Sequence, residues 1–165
     1  DGVKLSSSNL LGKEGGALPA LETVVDRATL AISAEAVGIM ESLLQKTVEY
    51  SKVRKQFGTA IGTFQALQHR MSDMFIECQL ARSIVLMAAM KLDSSASESE
   101  KAKAVSAAKS RIGRAIRKVG QEAIQIHGAI AVTDELDVGH LFKRITSINV
   151  TFGNPDYHTA RYSAL

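Results

Sequence analysis

Tryptophan is absent from this chain of 165 residues, proline occurs twice, cysteine once, and aromatic residues make up only 5%. A single cysteine, Cys78, excludes an internal disulfide framework, and no grouping of Cys, His and carboxylates has zinc-site spacing. The four histidines, His69, His127, His140 and His158, have no short ligand spacing to one another, so no metal centre is expected. Scarce aromatics and prolines beside abundant Ala, Leu, Ile and Met argue against a sandwich of short strands and for long helices. No apolar run approaches the ~20 residues that cross a bilayer, which excludes a membrane span. With 45% hydrophobic and 22% charged residues the composition is that of a globular chain. The lone thiol favours a reducing compartment, and a cytoplasmic location is expected. The chain opens at Asp1 with no initiator Met or signal pattern, as a piece of a longer polypeptide would.

Along the chain, DGVKLSSSNLLGKEGGALPA reads as a polar, Gly- and Ser-rich lead-in with at most a short strand at Val3 to Leu5. Pro19 suits the first turn of a helix, because the amides there have no intrahelical partner, and a long helix is expected from Pro19 to about Val53. A second begins near Thr63, with Leu67, Met71, Met74, Cys78, Ala81, Val85, Ala88 and Leu92 forming one apolar seam at steps of four and three. These Met and Cys residues read as core filler. After the polar run DSSASESE, Ser97 and Glu100 have capping-box spacing, and Val105, Ala108, Ile112, Ala115, Val119, Ala123 and Ile126 repeat the seam up to Gly128. A shorter helix from about Glu135 to Val150 rests on Leu141, Ile145 and Ile148, and a last one starts with Asn154 as cap and Pro155 at its first position. Long helices of comparable length with short connections predict an all-α, antiparallel up-and-down four-helix bundle with a short extra C-terminal helix.

Net charge is +3, too mild to name a nucleic-acid partner, yet residues 101–118 hold seven Lys or Arg and no carboxylate. That face is either solvated, or turned to an acidic neighbouring subunit, or bound to nucleic acid; no aromatic interleaves it for base stacking. Two loops suit an extended anionic ligand. In VRKQFGTAIGTFQALQH, Arg54 and Lys55 bring charge, Gln56 and Gln65 amides, Phe57 and Phe64 stacking faces, and Gly58 and Gly62 a tight path. FGNPDYH at 152–158 is a helix start preceded by glycine, with free amides. His127 stands before Gly128 and Ala129, small residues at a helix end where backbone can approach a ligand.

The segments AEAVGIMESLLQKTVEYSKVRKQFGTAIGTFQALQHRMSDM and AIQIHGAIAVTDELDVGHLFKR, from about Arg27 to Arg161, resemble the carboxy-terminal domain of acyl-CoA dehydrogenases. LLGKEGGAL is similar to that family's passage out of its β domain, which implies a lead-in at 1–18 and a helical domain at 19–165. The resemblance implies FAD as cofactor and removal of hydrogens from Cα and Cβ of an acyl-CoA thioester. It implies that Arg54 reaches the pyrophosphate of an FAD held mainly by a neighbouring subunit, with Gln56 and Phe57 beside it. Ile61, Phe64 and Gln65 would wall the adenosine half. Gln125, His127, Gly128 and Ala129 fall on the family's glycine-pair loop, with Ala129 replacing the second glycine. Asn154 and Asp156 fall at FAD-contacting positions, although a carboxylate repels a diphosphate.

The resemblance also exposes a departure. Proton abstraction needs a poised carboxylate, worth ~10²–10⁴ in rate, and the family's base positions hold Phe152 and, in another branch, Ala28. No catalytic residue is therefore assigned; Glu35 and Asp156 are the nearest carboxylates along the chain. Members with a loop like FGNPDYH are similar to chains whose partner chain supplies the base, often for steroid or other ring-bearing thioesters. Implied partners are an acyl-CoA substrate, further subunits in a homo- or hetero-oligomer, with a dimer-of-dimers tetramer expected, and an electron-accepting flavoprotein. Two alternatives stand beside this reading: a non-catalytic structural subunit of a mixed oligomer, and a helical nucleic-acid-binding module acting through residues 101–118.

Overall fold

A computed structural model describes residues 1–165. Five helices carry the fold: α1 (Ala17–Val53), α2 (Gln65–Leu92), α3 (Glu98–His127), α4 (Val138–Val150) and α5 (Pro155–Ala164). The first four form the expected bundle and α5 folds back on α3. At ~1.5 Å per residue α1 runs ~55 Å, longer than its partners, and its first turns project past the core with Leu18, Leu21, Val24 and Val25 exposed.

Local signals fix most helix ends. Ser97 accepts from the Glu100 amide while Glu100 reaches back to the Ser97 amide, so α3 starts on a complete capping box. Asn154 Oδ1 accepts from the Tyr157 amide (2.8 Å) with Pro155 at the first helical position of α5. Pro19 lies two residues inside α1 rather than at its start, still in the turn whose amides need no partner. The strand expected at Val3 to Leu5 does not form: the segment has no neighbour to pair with, and a short 3-10 turn at Ser7–Asn9 follows it. Residues 134–137 are a turn, so α4 begins at Val138 rather than Glu135. Gly139 fits there because a Cβ would lie 2.6 Å from the Ala131 carbonyl oxygen. Inside the loop between α1 and α2 a two-stranded hairpin pairs β1 (Lys55–Gln56) with β2 (Thr59–Ala60). Its turn residues Phe57 and Gly58 both have positive φ, 55° and 81°, as a two-residue turn matched to strand twist requires.

The core is one contiguous cluster. Ala36, Met40 and Leu43 of α1 meet Met74, Cys78 and Ala81 of α2, Ile112, Ile116 and Val119 of α3, and Ile145 and Ile148 of α4. The α2 seam is therefore packing, and burial pushes the Cys78 thiol up to about 12, which leaves it inert. Hydroxyls on the inner face of α1 are satisfied within the helix: Thr29, Ser33 and Thr47 each donate to the carbonyl four residues back at 2.7 Å. On α3, Gly113 and Gly120 admit α4 and α5 closely. A Cβ on Gly113 would stand 2.5 Å from Pro155 Cγ and 2.6 Å from Asn149 Oδ1.

Because the proline ring cannot rotate away, Gly113→Ala is expected to lose ~1–3 kcal/mol despite alanine's better helix propensity. The midpoint of urea unfolding checks this, and a stabilised variant would contradict the close approach.

Candidate functional site

Three helix ends meet at one end of the bundle and leave a cleft of about 430 Å³ between them. α1 contributes Tyr50, with Arg54 just past its end; the hairpin contributes Gln56 and Phe57; Ile61 and Phe64 follow, and α2 adds Leu67 and Arg70. The floor is the last turn of α3 and its continuation, Gln125 to Ile130. Gly128 ends α3 at φ +70°, and no atom of other residues lies within 4 Å of where its Cβ would stand. Backbone is thus presented to open space, the arrangement a closely approaching ligand needs.

Tyr50 and His127 hold this end together. Their rings stack at 4.5 Å, and the Tyr50 hydroxyl donates to the His127 carbonyl at 3.2 Å. His127 Nδ1 lies 2.8 Å from the Ala123 carbonyl, which can only accept, so Nδ1 carries a proton. His127 is buried, and its side chain acts here as a packing and orienting group while its backbone faces the cleft. Phe57 is 91% exposed at a left-handed backbone angle, touching Phe64 edge-on at 6.0 Å. A bulky side chain kept in solvent at a disfavoured φ marks a place awaiting a partner. Arg54 is exposed and has no ion pair within the chain. Arg70, by contrast, is neutralised by Glu122.

Nine of the twelve residues expected to bind a cofactor line this cleft: Arg54, Gln56, Phe57, Ile61, Phe64, Gln125, His127, Gly128 and Ala129. Gln65 opens α2 beside it without lining it. Asn154 and Asp156 lie elsewhere. Pro155 packs against Gly113, and Gly113 sits ~20 Å back along α3 from His127. Asn154 uses its side-chain oxygen as a cap, and Asp156 is an exposed residue of the first turn of α5. Tyr50, Arg70 and Ile130 are not singled out by the sequence, and Leu67 and Ile126 only as apolar seam positions; the one signal is that Tyr50 precedes Arg54 by one helical turn, on the same face.

Of the two nearest carboxylates, Glu35 is committed to an ion pair and Asp156 is exposed on the first turn of α5. Glu35 is held by Arg144 in a two-bond fork at 2.6 and 2.8 Å, and that hydrogen bonding lowers its pKa, the reverse of what proton abstraction near neutrality requires. At the family's usual base position Phe152 has φ 58°, followed by Gly153 at φ 107°.

The basic run of α3 is partly neutralised, and nothing in the fold supports the nucleic-acid alternative. Arg111 pairs with Glu77, Lys118 with Asp73 and Glu77, Lys101 with Glu98, and Lys109 is fully buried. Two of the three carboxylates, Asp73 and Glu77, come from α2, so Arg111 and Lys118 are neutralised across a helix interface, whereas Lys103, Arg114 and Arg117 have no ion pair.

Residues 15–163 match the family described as acyl-CoA dehydrogenase, C-terminal domain. The acyl-CoA dehydrogenase IpdE2 of Mycolicibacterium smegmatis is 39% identical over 141 residues, covering 86% of this chain and 43% of that protein. Butyryl-CoA dehydrogenase from Megasphaera elsdenii superposes with a TM-score of 0.90 at 27% identity, over 98% of this chain and 42% of its own. A steroid ACAD, Tcur3481-Tcur3483, superposes at 0.84 with 29% identity, over 90% of this chain and 40% of its own. This chain therefore spans less than half the length of these relatives. No helix is long and apolar enough to cross a membrane.

With four of its seven cations paired or buried, the α3 face is expected to leave duplex DNA unshifted in a gel at low ionic strength, where phosphate contacts are strongest. A salt-sensitive shift would support the nucleic-acid alternative.

Proposed function

The chain belongs to the acyl-CoA dehydrogenase family, as its C-terminal domain, and from that premise we propose that it closes the FAD site of a neighbouring subunit in an enzyme that dehydrogenates acyl-CoA thioesters. The observation that carries the reading is the cleft itself, which gathers an unpaired guanidinium, two amides, two phenyl rings and an open glycine backbone within one surface. This donor set fits a dinucleotide. A forked guanidinium matches a diphosphate, amides and backbone N–H groups take its remaining oxygens, and phenyl faces pack on an aromatic base.

When bound, FAD supplies the two-electron oxidation that removes hydride from Cβ of the thioester. This chain's part is to bind and orient. Arg54 neutralises diphosphate charge, Gln56 and Gln125 fix its register, and Phe57 with Phe64 shields the base from water. Tyr50 holds His127, and hence the Gly128 backbone, at the cleft floor. Proton removal from Cα falls to a carboxylate outside this chain's two family positions, which favours a partner subunit that carries it. A ring-bearing or steroid thioester is the substrate class that fits a phenylalanine in place of glutamate.

Assembly follows from the surface. α2 exposes Phe75, Ile76, Leu80, Leu86, Met87 and Met90 on its outer side, a row of apolar side chains unusual for a free helix. We assign it to contacts between subunits in a tetramer, homo- or hetero-oligomeric; an electron-accepting flavoprotein would reoxidise the cofactor. The observation that would favour a non-catalytic structural subunit, Phe152 and Ala28 at the two base positions, is met equally by a partner that carries the base.

In the full-length protein, Arg54→Ala is expected to cost ~2 kcal/mol of cofactor affinity, roughly thirtyfold. Flavin absorbance after gel filtration should fall while the helical circular dichroism stays. Undiminished flavin content would refute the assignment.

A further inference from the structure

The turn between α4 and α5 is held from beneath by a buried cation. Lys109 is 0% exposed and reaches from α3 to donate to the carbonyls of Ile148 at 2.7 Å, Asn149 at 3.2 Å and Gly153 at 3.0 Å. The first two are end carbonyls of α4 that no helical amide satisfies; the third belongs to the turn. No carboxylate pairs with the ammonium. Asp26, the buried acid that α1 brings to this end, is taken by Arg161 of α5 in two bonds of 2.6 and 3.0 Å. His158 of α5 faces the same interior and donates from Nε2 to the Phe152 carbonyl at 2.9 Å, with Nδ1 toward the Ser106 hydroxyl. α4 presents its carbonyls.

Burying an ammonium without a counter-ion is costly, and three carbonyl bonds are what offset it. Those bonds tie the end of α4 to a turn in which Phe152 and Gly153 both hold positive φ, at 58° and 107°. Phenylalanine does not adopt that angle unless its surroundings impose it. We propose that Lys109 is a positioning residue: by clamping the end of α4 to the Gly153 carbonyl, it keeps the Phe152–Gly153 turn in its left-handed shape and sets the direction of Phe152. Its consequence for substrate, that the clamp shapes the thioester end of the site, rests on the reading under Proposed function.

Titration reports the burial under which these bonds are made. Burial lowers Lys109 to about 8, whereas a lysine freed by opening of the turn titrates near ~10.4. Between these values the opened form binds more protons, so opening becomes harder as pH rises from about 8 toward ~10.4, and the effect is absent below that window.

Hydrogen exchange read by mass spectrometry on the full-length protein tests the clamp, comparing wild type with Lys109→Met. Loss of charge-assisted bonds should speed exchange in peptides covering 147–158 by about tenfold or more at neutral pH, while peptides from 30–50 and 101–127 stay protected. In wild type the protection of 147–158, corrected for intrinsic rate, should rise between about pH 8 and pH 9.5, and in Lys109→Met it should stay flat. Unchanged exchange in the variant, or loss spread evenly over all helices, would overturn the proposal. If the variant fails to fold, amine labelling of the folded wild type decides: Lys109 modified as fast as the exposed Lys52 overturns the proposal. Binding of a straight-chain and a ring-bearing coenzyme A thioester to the assembled protein separates the two readings: a loosened turn with unchanged thioester affinity keeps the clamp and removes the substrate-facing role of Phe152.

Discussion

Every other helix of this fold leans on α3, and the constraint that makes this feasible is side-chain size. Ala104, Ala108, Ala115 and Ala123 are buried, and Gly113 and Gly120 lie where a Cβ would collide with Pro155, Phe142 or Ile145. A helix packed on several sides cannot carry large residues on all of them without forcing its neighbours apart. Here the apolar bulk is carried by Val105, Ile112, Ile116, Val119 and Ile126, with Lys109 and His127 the large polar side chains, and the glycines let α4 and α5 close over the remaining side. The functional end is a by-product of that geometry. α3 leaves the bundle at Gly128 beside the end of α1, and the space between them becomes the cleft.

Buried charge at the α5 end of the bundle is answered by other elements, so the network also ties the elements together. Asp26 of α1 meets Arg161 of α5, Arg161 also donates to Ser106 of α3, and His158 bonds to the turn carbonyl of Phe152. Burial lowers the pKa of His158, with the carbonyl bond opposing that shift and the Lys109 and Arg161 charges adding to it. An imidazole held below its ordinary pKa binds fewer protons folded than unfolded. Its contribution to stability is therefore present above pH ~6.5 and is lost as pH falls through the lowered folded value. Acid thus weakens the place where α5 joins α3, close to the turn that Lys109 clamps.

Much of this was legible from residues in a row, because helix ends are local chemistry. Ser97 with Glu100, Asn154 with Pro155, and Gly128 after a long seam each state their role within four residues. The α2 and α3 seams were equally plain. The hairpin at Lys55 to Ala60 was not, since its turn is Phe-Gly rather than the usual Asn-Gly or Asp-Gly. Nor was the fate of residues 101–118, where the neutralising carboxylates, Asp73 and Glu77, lie on another helix. A run of cations reads as a patch only until tertiary structure supplies partners. For the cleft, sequence named the exposed contributors, whereas Tyr50 and Arg70 owe their place to the way α1, α2 and α3 end together.

The distance between the two sets of expected cofactor residues bears on assembly. Arg54, Phe57, Gln125 and Gly128 share a cleft, yet Asn154 stands where α5 meets Gly113, ~20 Å away along α3. The Gly113 contacts are with a proline ring and a buried amide oxygen, so α5 has no freedom to slide toward the cleft. If both sets grip a dinucleotide, a single compact site within one chain cannot contain them. On the reading proposed above, the two ends of each chain would then serve two different sites, each completed by another subunit. On that arrangement a chain whose own base position holds Phe152 still serves catalysis, because its cleft and its clamped turn face different reaction centres. Loss of a carboxylate at one centre leaves the grip on the other intact.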